Sequence, residues 1–125
     1  MRHILKISVP KEIALGENRV ALVPETVKQL VATGLEVSIE TTAGNAASYT
    51  DQMYEEVGAH IAQDPQSLLS GTDIILKVQA PQANSDQGYH EIDIIPRGTS
   101  VIGLLQPLTN PKLMLQMATK QINTF

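Results

Sequence analysis

Asp73-Ile74-Ile75-Leu76-Lys77-Val78 is a near-continuous apolar run, the mark of a strand buried on both faces. Ser100-Val101-Ile102-Gly103-Leu104-Leu105 is a second buried strand. Strands of this kind belong to parallel sheets joined by helices, and the flanking segments read accordingly. Ile4 to Val9 is a short apolar strand ended by Pro10. Pro24 and Glu25 open a helix that carries Val27, Leu30 and Val31 at helical spacing and stops at Gly34. Leu35 to Glu40 alternates as a strand. Thr50-Asp51 opens a short helix through Met53, Tyr54 and Val57, closed by Gly58. Asp64-Pro65 caps another, ending at Ser70-Gly71.

Downstream, Gln79 to Gln87 is polar and loop-like, and Gly88 to Ile95 reads as a helix. Pro96-Arg97-Gly98 makes a turn. Asn110-Pro111 caps a last helix through Leu113, Met114 and Met117, and Gln121 to Phe125 is a strand just beginning. The expected class is therefore α/β: a flavodoxin-like or Rossmann-like parallel sheet with helices on both faces. No repeat, low-complexity tract or linker divides it. The strand that is only beginning at Phe125 leads us to expect an incomplete lobe, a fragment of something longer.

Composition narrows the function. The 125 residues are 42% hydrophobic and 18% charged, enough to build a core, but aromatic residues are scarce and Leu, Ile, Val and Ala must fill it. A net charge of -4 without a basic cluster argues against a nucleic-acid partner. The absence of cysteine removes disulfides, thiolate catalysis and cysteine-ligated metals, and fits a cytoplasmic protein. The first apolar run is too short for a signal peptide. No stretch reaches the roughly 18 apolar residues of a membrane span, so no direct membrane insertion is expected.

In a parallel sheet, functional groups gather at the carboxyl ends of the strands. Lys77 stands near the end of an otherwise apolar strand. Either its ammonium is paired or held in a cleft, or it emerges past the sheet edge into solvent, and spacing does not separate the two. Arg19 has the planar fork for two-point recognition of a carboxylate or phosphate, and equally for an ion pair with Glu12, Glu17 or another acid. Glu12 and Glu17 read as surface or pairing residues. Gln106 follows the strand at Ser100 to Leu105. His3, His60 and His90 lack metal-ligand spacing, so no metal is expected, and no nucleophile elbow frames a serine. No Gly-x-Gly-x-x-Gly follows any strand.

Taken together, Val9-Pro10-Lys11-Glu12, Glu17-Asn18-Arg19-Val20-Ala21-Leu22, the Pro24 helix, Gly34, Val37 to Glu40, Ala43-Gly44, Tyr54 through Gly58-Ala59, and Ile75-Leu76-Lys77-Val78 resemble the N-terminal domain shared by alanine dehydrogenase and nicotinamide nucleotide transhydrogenase. The alanine dehydrogenases that resemble this chain have Lys-Val-Lys-Glu-Pro in place of Lys77-Val78-Gln79-Ala80-Pro81, and a catalytic histidine in place of Gln106. Transhydrogenase α subunits resemble the Ala80-Pro81 form and the Pro107-Leu108-Thr109-Asn110-Pro111 stretch. Without a histidine at Gln106, no general acid–base is available there for amino-acid oxidation.

The transhydrogenase resemblance implies residues 1–125 of an NAD(H)-binding component, with the glycine-fingerprint lobe absent. It implies hydride transfer between NAD(H) and NADP(H), coupled to proton translocation, in the complete protein. This fragment is expected to be inactive alone and to hold no cofactor by itself. Catalytic residues are expected elsewhere, while Arg19, Lys77 and Gln106 are cofactor-binding or cleft-lining candidates. The implied partners are the membrane and NADP-binding domains or subunits and a second copy in a homodimer. The implied location is the cytoplasm, peripheral to the inner membrane. The alternatives are an alanine dehydrogenase-like oxidoreductase and a free-standing flavodoxin-like interaction domain.

Overall fold

A computed structural model describes residues 4–84, 88–104 and 111–125. Six strands form one wholly parallel sheet: β1 (Lys6–Val9), β2 (Glu36–Glu40), β3 (His60–Ala62), β4 (Ile74–Gln79), β7 (Ser100–Leu104) and β8 (Asn123–Thr124). Their spatial order is β3-β2-β1-β4-β7-β8. Counted along the sheet alone, this is 3-2-1-4-5-6, which selects the Rossmann arrangement over the flavodoxin one. A two-stranded antiparallel hairpin, β5 (Ala83–Asn84) with β6 (Tyr89–His90), interrupts the passage from β4 to β7.

Helices α1 (Pro24–Ala32), α2 (Asp51–Glu56), α3 (Pro65–Leu69) and α4 (Pro111–Thr119) supply the layers. Pro24 occupies the first helical turn of α1, where its missing N–H leaves no bond unmade. Thr50 Oγ1 accepts from the N–H of Met53 at the start of α2, and Asp64 Oδ1 accepts from that of Ser67 at the start of α3. The Ser67 donors also hold the Asp64 carboxyl below its ordinary range. The residue expected to cap α4, Asn110, lies outside the described residues.

Alternation along the strands feeds two cores on opposite faces. Ile7, Val9, Val27, Val37, Ile39 and Tyr54 pack together under α1 and α2. Leu68, Leu69, Ile75, Ile92, Val101 and Met117 pack on the other side, beneath α3 and α4. Ser8, between Ile7 and Val9, turns to that second face and donates to the carbonyl of Leu68 at 3.0 Å. Each fully buried Val, Leu or Ile contributes about 1.5–3 kcal/mol, so this two-sided burial is the main source of stability.

Three details depart from the sequence reading. Gly88 to Ile95 is not an α-helix. Tyr89 and His90 pair with Asn84 and Ala83, and Glu91–Ile94 make a single 3-10 turn. The turn is closed locally, with His90 Nδ1 accepting from the N–H of Ile92 and Asp93 Oδ2 accepting from that of His90, and such side-chain bonds compete with a continuous helix. The three-residue strand β3 is too short to show a period, and its pairing with Ser38 to Glu40 defines it. The expected two-sided burial of β7 holds on one side only, because Ile102 and Leu104 are 42% and 56% exposed.

Tyr54 is fully buried, and its hydroxyl donates to the carbonyl of Leu22 at 2.7 Å. Burial pushes its phenol up to about 12. The bond fixes the returning end of the long loop between β1 and α1. Gly44 is required beside it: a Cβ there would lie 2.7 Å from the Tyr49 carbonyl oxygen and 2.8 Å from the Tyr54 ring. Tyr54→Phe is expected to cost about 1–2 kcal/mol, because the Leu22 carbonyl is left without its donor. Urea denaturation with an unchanged m-value would show it; no loss of stability would mean that the loop is anchored elsewhere.

Candidate functional site

Strand order reverses between β1, which is followed by a connection toward β2, and its other neighbour β4. The carboxyl ends of these two strands are where a ligand crevice opens in folds of this type. Pro10 ends β1, and the loop it starts carries Lys11, Glu12, Glu17 and Arg19 across the end of β4.

The centre of the site is Lys77. Its side chain is 2% exposed, and its Nζ donates to Glu12 Oε1 and to Glu91 Oε2, both at 3.3 Å. The solvent-facing alternative for Lys77 therefore does not apply. Glu12, 3% exposed in its side chain, does more than neutralise the lysine. Its Oε2 accepts from the N–H of Val78 at 2.9 Å, and its Oε1 accepts from that of Gln79 at 3.0 Å. The β4–β7 register explains why these N–H groups need an acceptor. Leu76 faces Ile102 but Gln79 faces Leu104, so β4 carries one extra residue in a bulge. Gly103 lies under that bulge, where a Cβ would come within 2.6 Å of the Lys77 carbonyl oxygen.

Glu91 reaches the same lysine from the 3-10 turn, and its Oε1 accepts from the N–H of Gln82 at 2.9 Å. Glu40, at the end of β2, accepts from the Lys11 N–H at 3.0 Å. Burial pushes the carboxyls of both Glu40 and Glu91 up from their ordinary range. Glu40, Lys77, Tyr89 and Glu91 line a cavity of about 30 Å³, with Leu69 and Ile75 forming apolar wall.

Arg19 occupies a different environment. Its guanidinium is largely exposed, yet forks onto Glu17, with Nε to Oε2 at 2.9 Å and the second contact to Oε1 at 2.8 Å. Its own N–H also donates to Glu17 Oε2. The Arg19 bonds, followed by one from Gln79 Nε2 at 2.7 Å, hold the Glu17 carboxyl far below its usual range. Lys11, Glu17, Arg19, Thr42 and Asn45 line an open cleft of about 270 Å³.

Arg19 and Lys77 thus face separate cavities, linked through Glu17, Gln79 and Glu12. Gln106, the third sequence candidate, lies outside the described residues. Sequence reasoning leaves Glu12 as a surface or pairing residue and does not single out Glu40 or Glu91 at all. The one available signal is a lysine on an apolar strand, which needs a partner if it is buried; that it is buried, and which acids meet it, is decided by tertiary packing. Among the described residues, no group of three His, Cys, Asp or Glu side chains is placed to hold a metal ion, and no helix is long and apolar enough to cross a membrane.

The crevice also bears on nucleotide binding. A Rossmann pyrophosphate site needs a tight glycine turn leading from the first strand into a helix whose free N–H groups meet the phosphates. Here residues 10–23 form a long loop instead. Pro24 removes one N–H from the helix start, and Glu25 places a negative charge in its first turn.

Residues 8–125 match the family model described as alanine dehydrogenase/PNT, N-terminal domain. The chain is 38% identical over 121 residues to an NAD(P) transhydrogenase alpha-subunit protein of Rhodospirillum rubrum, covering 97% of this chain and 31% of that one. An L-alanine dehydrogenase structure superposes with a TM-score of 0.87 at 30% identity, over 96% of this chain and 31% of its own. The transhydrogenase structure from Sinorhizobium meliloti superposes with a TM-score of 0.83 at 31% identity, over 96% of this chain and 34% of its own. The chain spans about a third of the length of these relatives.

Proposed function

The chain belongs to the alanine dehydrogenase/PNT N-terminal domain family, and from that premise we propose that it is the first lobe of an NAD(P) transhydrogenase α subunit. The alignment with the Rhodospirillum rubrum subunit, which takes in nearly all of this chain, carries this reading. Gln79-Ala80-Pro81 after Lys77-Val78 supports it over an amino-acid dehydrogenase. In the full-length protein the reaction is hydride exchange between NAD(H) and NADP(H), coupled to proton translocation. The remaining transhydrogenase domains or subunits, membrane and NADP-binding, are the partners, a second copy completes a homodimer, and this lobe lies in the cytoplasm, peripheral to the inner membrane through the complex.

The residues present do not fit a bound dinucleotide, because the loop and helix start that follow β1 offer the pyrophosphate neither a glycine turn nor an uncluttered set of N–H groups. Hydride transfer therefore takes no step from this chain. Arg19 and Lys77, with Gln106 beyond the described residues, shape the wall of the crevice that the second lobe would face. The bulge and the Glu12 clamp keep that wall in place.

The 125-residue chain is accordingly expected to bind NADH more weakly than the micromolar range by titration calorimetry. Micromolar binding would overturn the assignment as a lobe without a nucleotide site. For the full-length protein, hydride transfer from NADPH to an NAD⁺ analogue is the expected activity. NADH-dependent amination of pyruvate in its place would establish the alanine dehydrogenase alternative.

A further inference from the structure

We propose that Glu40 and Glu91 bind one proton between them across the small cavity beside Lys77, and that its loss or gain decides whether Lys77 is held by two carboxylates or by Glu12 alone. The inference does not depend on which reaction the longer protein performs.

The charges around the cavity come from four directions. The loop after β1 brings Lys11 and Glu12, the end of β2 brings Glu40, β4 brings Lys77, and the 3-10 turn brings Glu91. Three carboxylates therefore face two ammonium groups, and Lys11 is exposed, so water screens its charge. Lys77 is thus the buried counter-ion for three carboxylates. With Glu12 matched to it, Glu40 and Glu91 are left as two partly desolvated acids on one cavity wall, and a proton bound to one of them relieves their repulsion. Tyr89 from β6 is the other titratable group on the wall, and burial and the two carboxylates push its phenol up.

Hydrogen bonding decides where that proton resides. Both oxygens of Glu12 accept, from the N–H groups of Val78 and Gln79 and from Lys77, so a proton there would displace a bond. Glu40 accepts from the Lys11 N–H on Oε1. Glu91 accepts from two donors, the Gln82 N–H and Lys77. Burial raises both carboxyls; the charge of Glu91 raises Glu40 further, and that of Glu12 raises Glu91. The cavity of about 30 Å³ is large enough for a single water to relay the proton between them. Glu91 also ties the hairpin and 3-10 turn to β4 through Lys77. Its ionisation thus tightens that tie, and its protonation loosens it.

The test is a carboxyl-carbon NMR titration of the 125-residue chain. In the wild type, Glu40 and Glu91 are expected to titrate in two coupled steps, with the Lys77 side-chain resonance moving at the same pH. In Glu40→Gln, Glu91 should titrate in a single step at lower pH; in Glu91→Gln, Glu40 should do the same. Independent single-step curves in the wild type would overturn the proposal. So would a Glu91 curve unchanged by Glu40→Gln. Should either variant fail to fold, the other reads the coupling from the opposite side, and the wild-type curves alone still decide for or against it.

Discussion

Replacing Lys77 by methionine is expected to destabilise the fold by about 3–5 kcal/mol at neutral pH. Methionine matches the length of the lysine stem and fills the space, so packing is not the issue. What is lost is the positive charge between two carboxylates whose side chains are 3% and 11% exposed. Removing one partner from a buried ion cluster leaves the others desolvated and facing each other, which costs far more than the pair itself was worth. The pH dependence has a definite sign. The Glu91 carboxyl is already raised in the fold, and losing Lys77 raises it further. A group raised on folding contributes most below its unfolded value and loses that contribution as pH rises through the folded one. The stability gap between wild type and variant should therefore narrow as pH falls toward the ordinary carboxylate range. Urea denaturation at several pH values checks this, and a gap constant with pH would show that the cost is packing rather than charge.

Glu12→Ala should be comparably severe, about 3–5 kcal/mol, for a partly different reason. The change strands Lys77 with Glu91 alone, and it also strips the N–H groups of Val78 and Gln79 of their acceptor. Each buried N–H left unpaired costs about 1–3 kcal/mol. Glu12→Gln keeps one carbonyl oxygen in place and should recover some of the loss. Hydrogen exchange distinguishes the two contributions: in Glu12→Ala the amides of Val78 and Gln79 should exchange faster than those of neighbouring Leu76. Protection unchanged at 78 and 79 would mean that the bulge is satisfied without Glu12.

These two expectations mark where the sequence stops being legible. The elements of the parallel sheet can be read wherever a residue announces its own local geometry: Pro24 and Gly34 around α1, Thr50 and Asp64 as caps, Pro10 ending β1. The hairpin and 3-10 turn at residues 89–94 cannot. There, the spacing of Ile92 and Ile95 imitates a helix, while His90 and Asp93 close the turn locally and Glu91 is drawn to a lysine 14 positions earlier. Arg19 is recognisable as a fork in need of an acid, and the acid is Glu17, two residues away, which the sequence offers among its candidates.

What the sequence determined by itself was the class of fold and the kinship, because strand periodicity, helix punctuation and ordered motifs are local properties of the chain. It also placed a lysine near the end of an apolar strand, and left open whether that lysine is paired or reaches solvent. Tertiary structure alone decided that it is paired, and with what. Glu12 and Glu91 lie 65 and 14 positions from Lys77, and only the pairing of β1 beside β4 and the fold of the hairpin bring them together. Buried charge has no sequence period; it is settled by which distant groups the packed sheet leaves within reach.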